Sequence, residues 1–283
     1  MLSLKKVADL QLHLDYRRKE VMTIGFVPTM GALHEGHLSL IDQAARQCDY
    51  VVCSIFVNPA QFNDPDDLRR YPRTPAQDIE KLCQTSCHVL FMPPVEEVYP
   101  PGWQSDAPPI PPHLTAYMEG KFRPGHFDGV VKVVKRLLDI VQPHKLFMGQ
   151  KDFQQYTIID HMVRQLQMPV EVVCCETVRE PDGLAMSSRN TLLTDEERRK
   201  ATAIYQALCY AKGQYGSSSP GEIQQAALQI MQEAGLEPEY FEIIDGRTLQ
   251  PIHSWNDSDF IVACAAARAG KVRLIDNLVV YKA

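Results

Sequence analysis

The sequence has 283 residues, of which 45% are hydrophobic and 23% are charged, shares that are ordinary for a globular protein. This length is enough for a sizeable core and predicts two domains. The net charge of −6 argues against a nucleic-acid-binding protein, which would normally carry a basic face, although a local cluster of basic side chains could still bind phosphate.

The first part of the chain alternates apolar runs with helical patterns, which is typical of a parallel sheet covered by helices. Because the runs are apolar on both strand faces, the sequence predicts a Rossmann-like, doubly wound α/β fold rather than a sandwich. The predicted strands are 23–27, 50–57, 89–92, 145–148 and 170–175. The predicted helices between them are 38–47, 75–85, 128–141 and 153–167.

Residues 30–37 follow the first of these strands and lead into a helix. A turn before a helix N-terminus offers N–H groups and the helix dipole, so it predicts a site for a nucleotide phosphate. The glycine spacing is that of a P-loop, but His37 and Leu38 stand where lysine and Ser or Thr belong. A zinc-protease motif would need a different histidine spacing from that of His34 and His37. The remaining alternative is a turn whose histidines only cap backbone groups.

Polar side chains also follow two other predicted strands. Asn58 and Gln61 come after strand 50–57, and residues 149–152 come after strand 145–148. Ligands of doubly wound folds bind at the carboxyl ends of the strands. We therefore expect these residues and the 30–37 turn at the same edge of the sheet.

Nine prolines in the 32 positions from 93 to 124 predict a loop, with a short helical piece near 114–119. A second unit begins near Val178. A capping box at Thr194 predicts a helix through Leu208, and a second helix is predicted at 222–233. Three antiparallel strands follow at 240–244, 260–267 and 272–280. The sequence thus predicts a catalytic domain at 1–177 and a smaller α+β lid domain at 178–283.

Eight cysteines occur without a Cys-x-x-Cys pair, and most lie in apolar patterns, so we expect buried thiols in a reducing cytoplasm. Cys174 and Cys175 would face opposite sides of a strand, which argues against a metal or redox pair. No apolar stretch has the length of a membrane span, and the N-terminus has no apolar signal core. We expect a cytoplasmic protein without a membrane partner.

Six motifs in order along the chain carry a family resemblance. They are residues 28–37, 56–62, 71–74, 123–127, 149–155 and 186–190. The first contains the His-x-Gly-His pattern of the nucleotidyltransferase superfamily. Together the six resemble the pantothenate synthetase (pantoate–beta-alanine ligase) family, so we interpret the chain as similar to that family.

This resemblance implies that ATP adenylates pantoate with release of pyrophosphate, and that beta-alanine then attacks the acyl adenylate to give pantothenate and AMP. It implies that His37, His34, Lys151 and Arg189 are catalytic, with His37 the stronger candidate of the two histidines. It implies that Gln61 and Gln155 bind pantoate or beta-alanine. The implied ATP-binding residues are Met30, Gly31, Ala32, Leu33, His34, Glu35, Gly36, His37, Gly149, Gln150, Lys151, Asp152, Val178, Met186, Ser187, Ser188 and Arg189.

The same resemblance implies that ATP is a substrate that arrives with Mg²⁺ on its phosphates. We therefore predict no protein metal ligand and no tightly bound organic cofactor. A homodimer formed through the first domain is expected, as is closure of the second domain over ATP. Asp152 could hold the ribose, help to place magnesium or cap the following helix, and the sequence leaves these three roles open.

The chain departs from the family pattern at several positions. Gln150 stands where glutamate is common, which is harmless if the nucleotide contact there is made by the backbone. If the contact is made by a carboxylate, nucleotide affinity should differ. Lys132 stands where a small hydroxyl residue is frequent, Met186 replaces leucine, and the prolines at 108–112 are unusual.

Two other functions stay open at this point. Nucleotidyl transfer to a phosphorylated acceptor would give a stable nucleotide adduct rather than AMP, but such enzymes lack this arrangement of Gln61, Gln155 and the second domain. A non-catalytic nucleotide-binding protein would turn over no acyl acceptor, and the intact histidines and Lys151 argue against it. A redox Rossmann enzyme is excluded, because no Gly-x-Gly-x-x-Gly follows the first strand.

Overall fold

A computed structural model describes residues 1–62 and 65–283. Contacts divide the chain into two compact units. The first consists of Met1–Ile110, Pro124–Gly149 and Ile158–Glu176, and the second of Pro111–Arg123, Gln150–Thr157 and Thr177–Ala283. The second unit therefore includes two short segments, Pro111–Arg123 and Gln150–Thr157, that come before its main part in the chain. The division into functional domains at residues 177 and 178 stays a prediction.

The first unit contains a parallel sheet, as the sequence predicts, but it has six strands rather than the five predicted, because the short strand Leu2–Leu4 is added at one edge. Its strands are β1 (Leu2–Leu4), β2 (Ile24–Thr29), β3 (Tyr50–Ile55), β4 (Val89–Phe91), β5 (Lys145–Gly149) and β6 (Glu171–Cys175). They lie in the order β1-β4-β3-β2-β5-β6, with every neighbouring pair parallel. Large side chains of the inner strands, such as Phe26, Phe91 and Phe147, are completely buried, which explains why the inner strands are apolar on both faces.

In the described ranges, eight helices precede Thr177 in the chain. They are α1 (Val7–Lys19), α2 (Glu35–Gln47), α3 (Pro65–Arg70), α4 (Pro75–Cys83), α5 (Val95–Val98), α6 (Met118–Phe122), α7 (His126–Val141) and α8 (Phe153–Gln165). The four predicted helices correspond to α2, α4, α7 and α8, and the short piece predicted near 114–119 corresponds to α6 and the 3-10 turn before it. The sequence gives no comparable signal for α1, because only Leu10 and Leu14 of its 13 residues are buried.

The strand order places a topological switch point between β2 and β5. The chain adds β3 and β4 on one side of β2, and then returns to add β5 and β6 on the other side. In doubly wound sheets, ligands bind beyond the carboxyl ends of the strands at such a point. Residues 30–37 follow β2 and residues 150–152 follow β5, so both predicted nucleotide motifs start at the switch point.

The segment Thr177–Ala283 of the second unit contains three helices and an antiparallel sheet. The helices are α9 (Asp195–Ala201), α10 (Ala203–Gly213) and α11 (Pro220–Glu233), and the strands are β7 (Glu237–Asp245), β8 (Phe260–Ala269) and β9 (Val272–Lys282). The strands pair in the order β7-β8-β9, as predicted. The predicted capping box is present at Thr194. The single helix predicted through Leu208 is wrong, because α9 ends before Thr202, whose hydroxyl donates to the Arg199 carbonyl and competes with the helical backbone pattern.

In the first unit, His13 of α1 contacts Tyr50 at the start of β3. His13 Nε2 lies 2.7 Å from the Tyr50 hydroxyl, and the Arg17 guanidinium lies 5.4 Å from the centre of the Tyr50 ring. Burial, assisted by the positive charge of Arg17, lowers the pKa of His13 below its ordinary value of 6.5. The neutral imidazole is therefore the form that the folded state favours.

Stability should depend on pH through this histidine. Because the pKa of His13 is lower in the folded state, its contribution is fully present above pH 6.5 and is lost as the pH falls through the folded-state value. Glutamine can keep the bond to Tyr50 without titrating. We expect wild type to lose stability relative to His13→Gln as the pH falls. The unfolding free energy of wild type minus that of His13→Gln, measured by urea denaturation, should be smaller at pH 5 than at pH 8. A difference that is constant over this range would contradict the assignment.

Five of the eight cysteines are buried, whereas Cys83, Cys174 and Cys209 are exposed, so the expected burial is wrong for these three. Burial raises the pKa of Cys87 and of Cys175 to about 11, so both are thiols at neutral pH.

Within the described ranges, no helix combines the length and the apolar character that crossing a membrane requires.

Candidate active site

The turn after β2 has a backbone that needs support from elsewhere in the unit. Gly31 and Ala32 both have positive φ angles, 81° and 48°, and this region is unfavourable for alanine. The Asp78 carboxylate of α4 accepts the N–H groups of Ala32 at 3.0 Å and Leu33 at 2.8 Å. Strained backbone held in this way is typical of ligand-binding turns.

Asp78 is not among the residues predicted from the sequence, although the sequence contains a signal for it. Asp78 is 1% exposed and lies four residues before the fully buried Leu82, so an acidic side chain occupies the apolar face of α4. A carboxylate in such a position must have hydrogen-bond donors. Two of them are the N–H groups of Ala32 and Leu33, and a third is the Thr74 hydroxyl at 3.1 Å.

We expect Asp78→Asn to destabilise the protein by about 1–2 kcal/mol, because an amide NH₂ would face backbone N–H donors in a buried position. The turn should also lose its fixed conformation, so the affinity for Mg-ATP should fall. Urea denaturation and calorimetric titration measure the two effects. Asp42→Asn, an exposed position on α2, is the matched control. Wild-type stability in Asp78→Asn would contradict this role.

The two predicted catalytic histidines cap helix α2. His34 Nδ1 accepts from the Gly36 N–H at 3.2 Å, and His37 Nδ1 accepts from the His34 N–H at 3.3 Å. The two ring centres are 4.1 Å apart. An Nδ1 atom that accepts carries no proton, so in neutral imidazole the proton is on Nε2. Capping and phosphate binding are therefore compatible, since Nδ1 serves the helix and Nε2–H is a donor.

Gln61 lies in a 3-10 turn after β3, and its amide orientation is set by Asn58. The Asn58 side chain accepts from the Ala60 N–H at 3.2 Å and the Tyr99 hydroxyl at 3.0 Å, so its other end is the NH₂ group. That NH₂ donates to the Gly129 carbonyl at 3.1 Å and to Gln61 Oε1 at 3.2 Å. The Gln61 NH₂ group lies 3.2 Å from Met30 Sδ, a weak acceptor, and its second hydrogen is a donor suited to hydroxyl or carboxylate oxygens.

Helix α7 fixes the same turn at two further points. His126 Nδ1 lies 2.8 Å from the Gln61 carbonyl oxygen, to which it donates. At Gly129, a Cβ atom would overlap the Ala60 carbonyl oxygen and lie 2.8 Å from Gln61 Cα. Only glycine allows this approach. His126 of the 123–127 motif and Gly129 therefore both hold the turn that carries Gln61.

Lys132, one of the departures from the family pattern, lies on the same helix. Its ammonium group is 5.2 Å from the centre of the Tyr99 ring and 5.4 Å from that of Trp103, both within the range of a cation–π interaction. Burial raises the pKa of Tyr99 far above its ordinary value, so its hydroxyl remains a donor to Asn58.

In the second unit, the predicted residues after β5 form a 3-10 turn (Gln150–Asp152) that continues into α8. Lys151 is half-buried and Asp152 is exposed. The two adjacent glutamines of α8 differ, because Gln154 is buried and donates to the Leu114 carbonyl at 2.8 Å, whereas Gln155 is half-buried. Gln154 has a structural contact, and Gln155 stays the predicted substrate residue.

The predicted residues from 178 to 189 form a tight turn and a 3-10 helix. The Met186 N–H donates to the Val178 carbonyl at 3.0 Å, which closes a short hairpin. Ser187 Oγ accepts from the Arg189 N–H at 3.3 Å and opens the helix Ser188–Leu192. Ser188 is buried, and Arg189 is half-buried.

The structure thus brings the predicted residues together in two groups, one in each unit. Those of the first unit lie in the turn after β2 and the first turn of α2, in the turn after β3, and at the end of β5, and they are Met30, Gly31, Ala32, Leu33, His34, Glu35, Gly36, His37, Gln61 and Gly149. Those of the second unit are Gln150, Lys151, Asp152, Gln155, Val178, Met186, Ser187, Ser188 and Arg189. Their roles stay predictions. Over residues 1–62 and 65–283, no three His, Cys, Asp or Glu side chains are grouped to hold a metal ion.

The chain is similar to curated proteins named pantothenate synthetase. The pantothenate synthetase of Porphyromonas gingivalis strain W83 is 48% identical over 278 residues, which is 96% of each chain. The pantothenate synthetase of Stutzerimonas stutzeri strain A1501 is 45% identical over 278 residues, 98% of this chain and 96% of the other.

Solved structures give the same result. The crystal structure of pantothenate synthetase from Thermus thermophilus matches with a TM-score of 0.93 and 42% identity, over 99% of this chain and all of that one. The pantoate–beta-alanine ligase of Francisella tularensis, complexed with beta-gamma ATP and beta-alanine, matches with a TM-score of 0.81 and 34% identity, over 99% and 98% of the chains. The family model described as pantoate-beta-alanine ligase matches residues 3–279. The chain therefore belongs to the pantoate–beta-alanine ligase family.

Proposed function

We propose that this chain joins pantoate to beta-alanine with the use of ATP, through a pantoyl-adenylate intermediate that releases pyrophosphate and then AMP. Ligation of these two substrates is the reaction of the family to which the chain belongs. The observation that supports the two-step course best is the pair of histidines that caps α2 at the switch point of the sheet. Both present an Nε2–H donor where the fold is expected to bind phosphate.

In the first step, a carboxylate oxygen of pantoate attacks the α-phosphorus of ATP, and the bond to pyrophosphate breaks. Negative charge develops on the oxygens of the five-coordinate phosphorus. Fixed donors stabilise this charge most when they need no reorganisation. We propose that His34 and His37 supply such donors, since their Nδ1 atoms are already held by the backbone. Lys151 and Arg189 add positive charge toward the phosphates.

In the second step, the amine nitrogen of beta-alanine attacks the acyl carbon, the bond to AMP breaks, and the nitrogen releases protons to solvent until one hydrogen is left in the amide. Orientation of the two small substrates is the main requirement of this step. We propose that the NH₂ of Gln61 donates to a pantoate oxygen, because Asn58 occupies its Oε1. Gln155 is proposed as the second amide that binds these substrates.

Magnesium is proposed to enter as Mg-ATP. The imidazole, ammonium and guanidinium groups named above suit phosphate oxygens and do not suit Mg²⁺, which prefers oxygen ligands and keeps several waters. From the family resemblance we also propose a homodimer, to be measured by sedimentation equilibrium. A cytoplasmic location is proposed from the buried thiols.

The test is to incubate the purified protein with Mg-ATP and pantoate, without beta-alanine, and to follow exchange of labelled pyrophosphate into ATP. Exchange that requires pantoate is expected, since the first step is reversible and does not involve the amine. Addition of beta-alanine should then produce pantothenate and AMP in equal amounts.

Two other outcomes would reject the proposal. A stable nucleotide adduct of a phosphorylated acceptor would indicate nucleotidyl transfer of the other class. Tight binding of Mg-ATP without exchange or AMP formation would indicate a protein that binds the nucleotide but does not catalyse.

A further inference from the structure

Asn277 on β9 makes all the hydrogen bonds of its amide to one turn of the second unit. Its Nδ2 donates to the carbonyl oxygens of Gln150 at 2.8 Å and Lys151 at 2.9 Å. Its Oδ1 accepts from Gln150 Nε2 at 3.1 Å. Asn277 is 2% exposed, so these bonds form in a site where lost partners are costly.

The residue before it holds Asn277 in this position. Asp276 is 5% exposed, and its Oδ1 accepts from the Asn277 N–H at 2.8 Å. Arg179 pairs with both carboxylate oxygens of Asp276, at 2.5 and 3.1 Å, and also donates to the Asn277 carbonyl at 3.1 Å. Burial raises the pKa of Asp276, and the Arg179 guanidinium opposes this rise.

Arg179 connects the same pair of residues to the segment that leads to Ser187 and Arg189. Its Nη1 donates to the Gly183 carbonyl at 3.1 Å, inside the hairpin that Met186 closes. Its guanidinium also lies 4.1 Å from the centre of the Tyr205 ring. The sequence Asp276-Asn277 therefore contacts, directly or through Arg179, both segments of this unit that carry predicted ATP-binding residues.

We infer that Asn277 is a positioning residue for Lys151, which fixes the backbone from which the lysine side chain extends, with Asp276 holding Asn277 in place. The inference rests on the proposed function, in which Lys151 acts on the ATP phosphates. A lysine side chain has four flexible carbons, so the position of its ammonium depends on a fixed Cα. Small displacements of a catalytic group lower rates strongly.

The pairing also explains the departure at position 150. Glutamine there donates to Asn277 Oδ1, whereas a glutamate carboxylate could only accept. In this chain the Gln150 side chain donates to another residue of the protein, Asn277. Any contact of Gln150 with the nucleotide is therefore expected to come from its backbone.

A double-mutant cycle tests the inference through pantoate-dependent pyrophosphate–ATP exchange. We expect Asn277→Ala to lower the maximal exchange rate about tenfold, and Lys151→Ala about a hundredfold. If Asn277 acts through Lys151, the double variant should be no slower than Lys151→Ala. A loss of about a thousandfold, the product of the two, would overturn the inference, as would a wild-type rate in Asn277→Ala.

Asn256→Ala, an exposed asparagine of the same unit, is the matched control and should retain the wild-type rate. Urea denaturation of each variant checks that it folds. If Asn277→Ala does not fold, Asn277→Asp, which keeps the size, enters the same cycle. Its rate relative to wild type should recover as the pH falls, because a protonated carboxyl can donate to one of the two carbonyls. A ratio that does not change with pH would then overturn the inference.

The wild-type result separates this inference from the proposed function. Absence of pantoate-dependent exchange in the wild type rejects the proposed function alone. The cycle is then measured in the dissociation constant of Mg-ATP, where coupling between Asn277 and Lys151 is still expected. Independent effects of the two substitutions on that constant would overturn the inference.

Discussion

Replacing His37 by asparagine should lower pantoate-dependent pyrophosphate–ATP exchange about a hundredfold while the protein stays nearly as stable as wild type. Asparagine Oδ1 lies at the same distance along the side chain as histidine Nδ1, so it can still accept from the His34 N–H and keep the cap of α2. It has no group at the position of Nε2. The variant therefore removes the proposed phosphate donor selectively, and exchange kinetics with urea denaturation measure both effects.

His37→Gln is the complementary control. The amide nitrogen of glutamine reaches the position of Nε2, but glutamine has no acceptor at the position of Nδ1. This variant should retain more exchange activity than His37→Asn and lose about 0.5–1 kcal/mol of stability, the usual effect of a lost cap. Equal rates in the two variants, or a wild-type rate in His37→Asn, would contradict the role of Nε2.

Sequence reasoning could predict this part of the site because its signals are local. The strand, the turn and the helix start are adjacent in the chain, and the two histidines are three residues apart. Capping by His34 and His37 was the alternative to phosphate binding in the sequence. In the structure the two roles are compatible, since in each ring one nitrogen accepts from the backbone and the other can donate.

The supporting residues could not be predicted in the same way. Asp78 contacts Ala32 across 46 positions, Asn58 contacts Gly129 across 71, and Asn277 contacts Gln150 across 127. Each contact joins a buried polar side chain to a backbone group. Such bonds have no periodicity and no fixed spacing. Of these three residues, only Asp78 could be noticed in the sequence, because it is an acid on the apolar face of α4.

The fold follows the same distinction between strong and weak local signals. Strands β2 to β6 were predictable because both of their faces are buried or they carry long apolar runs, which produce a continuous pattern. Helix α1 has only two buried residues, and the three residues of β1 are exposed or half-buried, so neither gives a usable pattern. The break at Thr202 depends on one side-chain hydrogen bond, which hydrophobic periodicity does not record.

Replacing Gly129 by alanine should both destabilise the protein and impair pantoate binding. The added Cβ would overlap the Ala60 carbonyl oxygen, which belongs to backbone and cannot rotate away. The turn is also held by Asn58 and by His126, so it can move only if those hydrogen bonds lengthen. We expect a loss of about 1–3 kcal/mol, as in other overpacked sites, and an increase of about tenfold in the KM for pantoate.

Gly221→Ala is the matched control, because Gly221 also lies in a helix, α11, and a Cβ there would meet open space. Alanine favours helices over glycine by up to about 1 kcal/mol, so this variant should be as stable as wild type or slightly more stable. The two substitutions add the same methyl group, and only the one beside Gln61 should change the KM for pantoate. If Gly129→Ala lost stability while that KM stayed at the wild-type value, the turn could shift without affecting pantoate, and Gln61 would not be the residue that binds it.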